Sequence, residues 1–223
     1  MGVACSRMAT SPPTPDLEPL GAHEVLEHAV AEHHPRLAVA CSFQKEAAVI
    51  VDILLRIEPQ ARIFTLDTGV LFSETYDTWR RVEAHYGIEI ESYVGERVDG
   101  LWARDPDACC GMRKVEPLKQ ALGTVDAWIT GLRRDQSDMR AGTPKVGWDL
   151  LHGKWKYAPL ADWTERDVWR YINERDVPYN PLHDQGYDSI GCTHCTVAGS
   201  GRDGRWAGTD KLECGLHVQS ASS

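Results

Sequence analysis

The sequence predicts an α/β domain with a parallel sheet, followed by a flexible C-terminal arm. From Leu37 onward, short apolar runs suited to buried strands alternate with segments of helical spacing. This alternation is typical of parallel strands covered by helices on both faces. After Cys195 the periodicity ends in a stretch that contains several glycines. The chain has 223 residues and no apolar run long enough to span a membrane, so we expect one soluble domain.

The individual elements follow from the spacing of apolar residues and from helix-terminal signals. We predict strands at 37–41, 62–66, 88–94 and 127–130, and helices at 47–57, 73–86 and 165–175. Ser73 is a candidate N-cap and Gly87 a candidate helix stop. Thr164 and Asp167 have the spacing of a capping box at the start of the last helix. The turns that begin at Ser42, Asp67 and Gly131 would then converge beyond the carboxyl ends of the strands, where open parallel sheets bind ligands.

The two ends of the chain differ in composition from this central part. Residues 1–20 are rich in Pro, Ser and Thr and lack an apolar signal segment, so we expect a disordered tail on a cytoplasmic protein. We assign residues 21–195 to the α/β domain and residues 196–223 to a mobile segment. A net charge of −9 argues against a protein that coats nucleic acid. Local clusters of arginine, at 133–140 and at 202–205, are instead suited to a small anion.

The cysteines fall into two close pairs and three single residues. Cys109 and Cys110 are adjacent, and Cys192 and Cys195 form a C-x-x-C pair about eighty residues later. Four thiolates collected from two loops are typical of a metal centre, and the spacing alone leaves both a structural zinc and an iron–sulfur cluster open. Cys214 stands outside these pairs, in a short polar stretch close to the C-terminus, and is a candidate reactive thiol.

Six segments in this order resemble the assimilatory adenylyl-sulfate reductases of the phosphoadenylyl-sulfate reductase family. They are Ser42-Phe43-Gln44-Lys45-Glu46, Leu66-Asp67-Thr68-Gly69, Cys109-Cys110-Gly111-Met112-Arg113-Lys114, Gly131-Leu132-Arg133-Arg134-Asp135-Gln136-Ser137, the pair Cys192 and Cys195, and Glu213-Cys214-Gly215-Leu216-His217. The resemblance runs from about Leu37 to His217. It implies a domain of the adenine nucleotide alpha-hydrolase-like (PP-loop) fold.

The resemblance also implies a reaction and a cofactor. Adenosine 5′-phosphosulfate would be reduced to sulfite and AMP with electrons from thioredoxin, in sulfate assimilation and cysteine biosynthesis. Cys214 would be the nucleophile and would carry an S-sulfonate intermediate, because a thiolate attacks sulfur well and a second thiol can then release sulfite. The four paired cysteines would bind a [4Fe-4S] cluster, and Lys114 would lie between that cluster and the substrate.

The substrate contacts implied by the resemblance come from four parts of the chain. Leu66, Asp67 and Gly69 would meet the adenosine, and Ser42, Phe43 and Lys45 would form the turn at the phosphosulfate. Arg133, Arg134 and Arg140 would hold the phosphosulfate, and Arg202, Arg205 and His217 would hold the sulfate or favour the thiolate. Related ATP-cleaving enzymes have a Ser-Gly-Gly-x-Asp-Ser turn where this chain has Phe43, Gln44 and Lys45, which disfavours release of pyrophosphate from ATP.

Other functions remain open at this point. One alternative is that the protein reduces the 3′-phosphorylated nucleotide, or both nucleotides. An ATP-dependent PP-loop enzyme, such as a tRNA-thiolating enzyme, and a non-catalytic zinc-binding protein are further alternatives. We expect no nucleic-acid partner and no membrane partner, and a homo-oligomer is compatible with the sequence.

Overall fold

The computed structural model describes residues 12–211 and 213–217. Its strands are β1 (Leu37–Ala40), β2 (Arg62–Asp67), β3 (Glu91–Val94), β4 (Ala127–Ile129), β5 (Val146–Asp149) and β6 (Lys154–Tyr157). Its α-helices are α1 (Ala22–His33), α2 (Lys45–Ile57), α3 (Ser73–Tyr86), α4 (Leu101–Arg104), α5 (Pro106–Cys110), α6 (Glu116–Leu122) and α7 (Glu165–Arg175). A π-helical turn, Gly111–Val115, joins α5 to α6, and 3-10 turns lie at Arg134–Gln136, Asp138–Arg140, Pro181–Gln185 and Thr193–Cys195.

The strands form one six-stranded sheet in the order β3-β2-β1-β4-β6-β5. All neighbouring strands are parallel except β5 and β6, which form an antiparallel edge. The sheet therefore confirms the predicted α/β class. Because β1 lies between β2 and β4, the chain turns to opposite sides of the sheet at this point, and a crevice is expected at the carboxyl ends of β1 and β4.

The two central strands are buried on both faces. Successive side chains of a strand point to opposite faces, so Val39 and Ile129 belong to one apolar cluster, with α1, α2 and α7, while Ala38 and Trp128 belong to the other, with α6. Trp128 is completely buried. This double burial explains why both strands read as continuous apolar runs in the sequence.

The helix termini agree with the local signals, and the deviations are small. Gly87 ends α3 in the left-handed conformation, with φ of 66°. Thr164 caps α7 and accepts a hydrogen bond of 3.2 Å from the backbone N–H of Asp167, as predicted. Phe72, rather than Ser73, is the N-cap of α3. The spacing did not predict α1, the helices α4, α5 and α6, or the hairpin of β5 and β6, and β3 begins three residues later than predicted.

The packed domain is longer at both ends than the predicted boundaries suggest. Leu17 is buried in the main core, and Glu18 accepts a hydrogen bond of 2.9 Å from the backbone N–H of Lys145, so the expected tail ends before these residues. In the arm, Trp206 is buried, and its backbone N–H donates a hydrogen bond of 2.8 Å to the carbonyl of Cys195. The arm is thus seated on the domain, and its movement stays a prediction. Residues 1–11, 212 and 218–223, to which parts of the tail and arm predictions refer, lie outside the described residues.

Among the described residues, no helix combines the length and the apolar character that a membrane crossing requires.

Candidate active site

A cavity of about 220 Å³ opens at the carboxyl ends of β1, β2 and β4. The turns after these strands form its floor, and the arm covers part of it. Its walls include Ser42, Phe43, Leu66, Lys114, Arg133, Arg140, Arg202, Arg205, Cys214 and His217, all of which the sequence had nominated. The structure therefore brings the reactive-thiol candidate to the crevice that the strand order predicts.

The turn after β1 is held in an uncommon backbone conformation. Phe43 has φ of 57°, is buried, and stacks on Trp79 with ring centroids 5.4 Å apart. The left-handed region is unusual for a bulky residue and persists only where the surroundings enforce it. Gln44, the N-cap of α2, accepts a hydrogen bond of 2.8 Å from the N–H of Ile190. The first turn of α2 thus meets the cavity, and helix N-termini favour anions.

Arg133 lies in the cavity wall but is already surrounded by carboxylates. Its Nε donates to Glu46 at 3.0 Å, it pairs with Asp135, and Glu165 lies 3.9 Å from its Nη2. Both Arg133 and Glu46 are almost completely buried. The charge of Arg133 is therefore balanced within the protein, which makes it a weaker anion ligand than its position in the sequence suggested.

Three other arginines of the cavity wall have different surroundings. Arg140 and Arg202 share one carboxylate, that of Glu213, and burial, followed by the nearby charge of Arg140, lowers the pKa of Arg202 to about 10. Arg205 is buried beside the cavity, with its guanidinium 4.5 Å from the centre of the Trp206 ring, and its Nε has no hydrogen-bond partner among the described residues. A buried guanidinium with an unused donor is suited to an anionic ligand.

Cys214 and His217 reach the cavity from the arm. The ring of His217 stacks on Trp128, with centroids 5.7 Å apart and an interplanar angle of 12°. Burial, and then the positive charges of Lys156 and Arg140, lower the pKa of His217 well below its usual value. The imidazole is therefore neutral at neutral pH, and its role as a cation that holds sulfate is disfavoured. The stacking contact holds this part of the arm against Trp128 of β4.

The four paired cysteines line a second, narrower pocket next to the cavity. Cys109 and Cys110 end α5, Cys192 precedes a 3-10 turn that ends at Cys195, and the N–H of Thr193 donates to Val70 at 2.9 Å. The pocket is walled by Val70, Trp102, Pro106, Cys109, Cys110, Arg113, Lys114, Cys192, His194, Cys195 and Trp206. The π-helical turn follows Cys110 directly, and such turns are frequent at functional sites.

The chemistry of this pocket fits an anionic iron–sulfur cluster. In the part of the chain that the structure describes, the buried Nε of Arg113 has no hydrogen-bond partner. Burial raises the pKa of both Cys110 and Cys195, so thiolates here need a compensating metal charge. Among the described residues no three His, Cys, Asp or Glu side chains are arranged to hold a single metal ion. A four-iron cluster does not require that arrangement, because each thiolate binds a different iron.

Lys114 connects the two pockets. It lines both the cavity and the cysteine pocket. Burial opposes its charge, but the neighbouring thiol groups of Cys192, Cys214 and Cys110 outweigh this effect and raise its pKa. A cation therefore lies between the cavity and the cysteine pocket, and its position between a cluster and a substrate stays a prediction.

Four nominated residues are not brought to the cavity. The Nζ of Lys45 donates to the carbonyl of Asp188 at 2.8 Å and pairs with Glu165 at 3.2 Å. Arg134 pairs with Glu18 at 2.6 Å. Asp67 accepts hydrogen bonds of 2.7 Å from the N–H of Gly69 and from the hydroxyl of Tyr76. Lys45, Arg134, Asp67 and Gly69 therefore stabilise the surrounding turns, and the cavity gives no support for direct substrate contacts by them.

Several residues that matter at the site were missed. Gln136 joins the N–H of Arg133, the guanidinium of Arg140 and the carboxylate of Glu46. Trp128 lies in a predicted strand and Arg113 in a quoted motif, but the sequence analysis gave neither residue a role at the site. Gln136 lies in a quoted segment close to Arg133 and Arg140, but its partner Glu46 is 90 residues away, so no local signal showed that it links the arginine loop to α2.

Comparison with known proteins agrees with this geometry. The family described as "Phosphoadenosine phosphosulfate reductase domain" matches residues 36–198. A protein of Bacillus pumilus called adenosine 5′-phosphosulfate reductase is 46% identical over 88% of this chain and 91% of its own length. Adenosine 5′-phosphosulfate reductase 1 of Bacillus subtilis is 43% identical over 88% of this chain and 91% of its own length.

Solved structures give the same result for the fold. The phosphoadenylyl-sulfate (PAPS) reductase of Candida auris, in complex with phosphate, has a TM-score of 0.73 and 32% identity, and the match covers 84% of this chain and 100% of that one. FMN adenylyltransferase of Candida glabrata, with FAD and inorganic pyrophosphate, has a TM-score of 0.61 at 12% identity, covering 80% of this chain and 65% of that chain. This second likeness shows the fold alone.

The fold defines the class, an α/β domain of the type that these solved structures share. More narrowly, the chain belongs to the phosphoadenosine phosphosulfate reductase family.

Proposed function

We propose that this protein reduces adenosine 5′-phosphosulfate to sulfite and AMP. The observation that carries the proposal is the placement of Cys214 in the wall of one cavity with Arg140, Arg202 and Arg205. A thiol that shares a cavity with several arginines is suited to attack an anionic sulfur compound. Relatives with 41–46% identity over about nine tenths of the chain carry the name adenosine 5′-phosphosulfate reductase.

The first half of the reaction needs no external electrons. The thiolate of Cys214 attacks the sulfur of the sulfate group, a sulfur–sulfur bond forms, and the bond from sulfur to the bridging oxygen breaks. AMP leaves with that electron pair, and Cys214 becomes an S-sulfonate. The arginines stabilise the phosphate oxygens as charge moves onto the leaving group.

The second half needs a dithiol, which we propose is thioredoxin. One thiolate of the dithiol attacks Sγ of Cys214, forms a mixed disulfide, and releases sulfite with the electrons of the sulfur–sulfur bond. The second thiolate then frees Cys214 and leaves the dithiol as a disulfide, so the two electrons come from the reductant. The six described cysteines are all free, which is consistent with a reducing, cytoplasmic location.

We also propose that Cys109, Cys110, Cys192 and Cys195 hold a [4Fe-4S] cluster. When bound, the cluster would supply an anionic charge beside Lys114, and the scheme draws no electrons from it. Lys114, which lines both pockets, would face the cluster on one side and the substrate on the other. A tRNA thiolase of Methanococcus maripaludis, described with its [4Fe-4S] cluster, has the same general fold, with a TM-score of 0.52 and 16% identity.

The decisive test is the intact mass of the anaerobically purified protein after incubation with adenosine 5′-phosphosulfate in the absence of a thiol reductant. We expect one sulfonate adduct, mapped to Cys214 and absent from Cys214→Ser, which should still bind nucleotide. The 3′-phosphorylated nucleotide, tested in parallel, identifies the preferred substrate by the faster adduct.

Cys41 provides a matched control in the same cavity wall. Burial raises the pKa of this thiol to about 12, so it stays protonated and unreactive. Cys41→Ala should therefore keep the adduct on Cys214. An adduct on Cys41, or none with either nucleotide while the cysteine pocket retains its metal, would contradict the proposed reaction.

A further inference from the structure

The residue before the reactive thiol binds the arginines of the cavity. Both carboxylate oxygens of Glu213 accept from Arg140, at 2.9 Å from Nε and 3.0 Å from Nη2, and one of them also accepts from Arg202 at 3.0 Å. Glu213 itself lines the cavity and is largely shielded from solvent. A side chain of the arm thus occupies donors that face the space proposed for an anionic substrate.

The two arginines belong to different parts of the protein. Arg140 is buried, and its Nη1 donates to Gln136 at 2.5 Å, while the amide of Gln136 donates to Glu46 of α2 at 3.2 Å. Arg140 is therefore anchored to the domain through a chain of hydrogen bonds. Arg202 belongs to the arm; it donates to one oxygen of Glu213, and its guanidinium lies 5.8 Å from the centre of the Trp206 ring.

We infer that Glu213 is a positioning residue with two effects on the reaction: its bond to Arg140 seats Cys214 over the cavity, and its charge competes with the anionic substrate for Arg202. The inference rests on the proposed function. Arg140 keeps both oxygens of Glu213 while Arg202 turns to the substrate, so the arm stays seated during the attack. Because Cys214 directly follows Glu213 in the chain, the contact that holds the Glu213 carboxylate also fixes the position of the thiol.

This arrangement predicts that binding and chemistry respond in opposite directions. In Glu213→Gln the competing charge is gone, so the affinity for adenosine 5′-phosphosulfate should rise, by roughly threefold or more, since two like charges a few ångströms apart repel even in a well-solvated site. The interaction with Arg140 that positions Cys214 is weakened at the same time. S-sulfonation in a single turnover should slow by roughly tenfold to a hundredfold, as expected for a misplaced nucleophile.

The test separates these effects from each other and from the proposed reaction. Affinity is measured for Glu213→Gln in the unreactive Cys214→Ser background, where no turnover complicates binding. How firmly Cys214 is held is measured by the rate at which iodoacetamide alkylates it in the nucleotide-free protein. This rate should increase in Glu213→Gln. The alkylation readout does not depend on the reaction, so it stays informative if the proposed function fails.

Asp210→Asn is the matched control. Asp210 is exposed on the same arm, so this variant loses the same charge without touching the arginines. It should match the wild type in affinity, in alkylation and in single-turnover rate. The inference is overturned if Glu213→Gln binds the nucleotide more weakly, if its alkylation rate is unchanged, or if Asp210→Asn reproduces its effects.

Discussion

A methyl group added at Gly95 should displace the helix that carries the adjacent cysteines, whereas the same group at Gly111 should not. A Cβ at Gly95 would lie 2.2 Å from the carbonyl oxygen of Met112 and 2.7 Å from the Cα of Arg113. Both are backbone atoms of the π-helical turn that follows Cys110, so a side-chain rotation cannot relieve the overlap. Gly111 lies in that same turn with φ of −53°, and apart from its own turn a Cβ there meets no atom of the described residues within 4 Å.

The size of the effect follows from the overlap. Real Cβ atoms essentially never approach closer than 3.0 Å, so the turn must move by at least 3.0 minus 2.2, or 0.8 Å. Overpacking of this kind costs about 1–3 kcal/mol. For a chain of this length each kcal/mol shifts Tm by roughly 2–4 °C, so Gly95→Ala should melt about 2–12 °C lower. Gly111→Ala replaces a helical glycine and should melt up to about 4 °C higher, from a gain of about 1 kcal/mol.

The assay is thermal unfolding of both variants, purified anaerobically, together with their iron content. Gly95→Ala should lose iron as well as stability, because Cys109 and Cys110 move with the turn, and Gly111→Ala should keep it. If Gly95→Ala melts like the wild type with full iron content, the close approach of the two backbones is not as described. An equal loss of stability in Gly111→Ala would show that the turn tolerates no added atom, and it would refute the contrast.

Two further predictions concern a half-buried lysine of β6, Lys156, and the metal. Burial lowers the pKa of Lys156 to about 8, so its charge costs about 3 kcal/mol in the folded state, a cost that is complete below pH 8 and relieved as pH rises towards 10.5. Lys156→Met should therefore raise Tm at pH 7 and raise it less at about pH 9.5; an equal gain at both values would contradict the shifted pKa. Cys192→Ser should lose iron and labile sulfide, with Cys41→Ala as the control that retains both, and finding zinc in the wild type would refute the cluster.

The architecture was largely predictable from local patterns. Apolar runs buried on both faces identified β1, β2 and β4, and Gly87 and Thr164 marked helix ends, because these signals depend on neighbours within a few residues. Helix α1 and the β5–β6 hairpin were missed. Their amphipathic patterns are weak, and they gain stability from contacts made with distant parts of the chain.

The site was predictable in its chemistry and less so in its contacts. Sequence spacing grouped the four paired cysteines and set Cys214 apart, and the structure brings the first four to one pocket and the fifth to the neighbouring cavity. Arg133 and Arg140 lie on the same loop, yet the first is balanced by carboxylates of the domain and the second by a carboxylate of the arm. No local pattern distinguishes them.

The sequence by itself therefore determined the fold class, the family and the residues capable of the chemistry. Hydrophobic periodicity, turn residues and cysteine spacing are all properties of short segments. The tertiary structure decided which charged groups line the cavity. Lys45 and Arg134 do not line it and pair with Glu165 and Glu18, whereas Arg202 lines the cavity and pairs there with Glu213 of the arm. Charge compensation is a property of three-dimensional neighbours, and only the folded chain sets which cations are paired with which carboxylates.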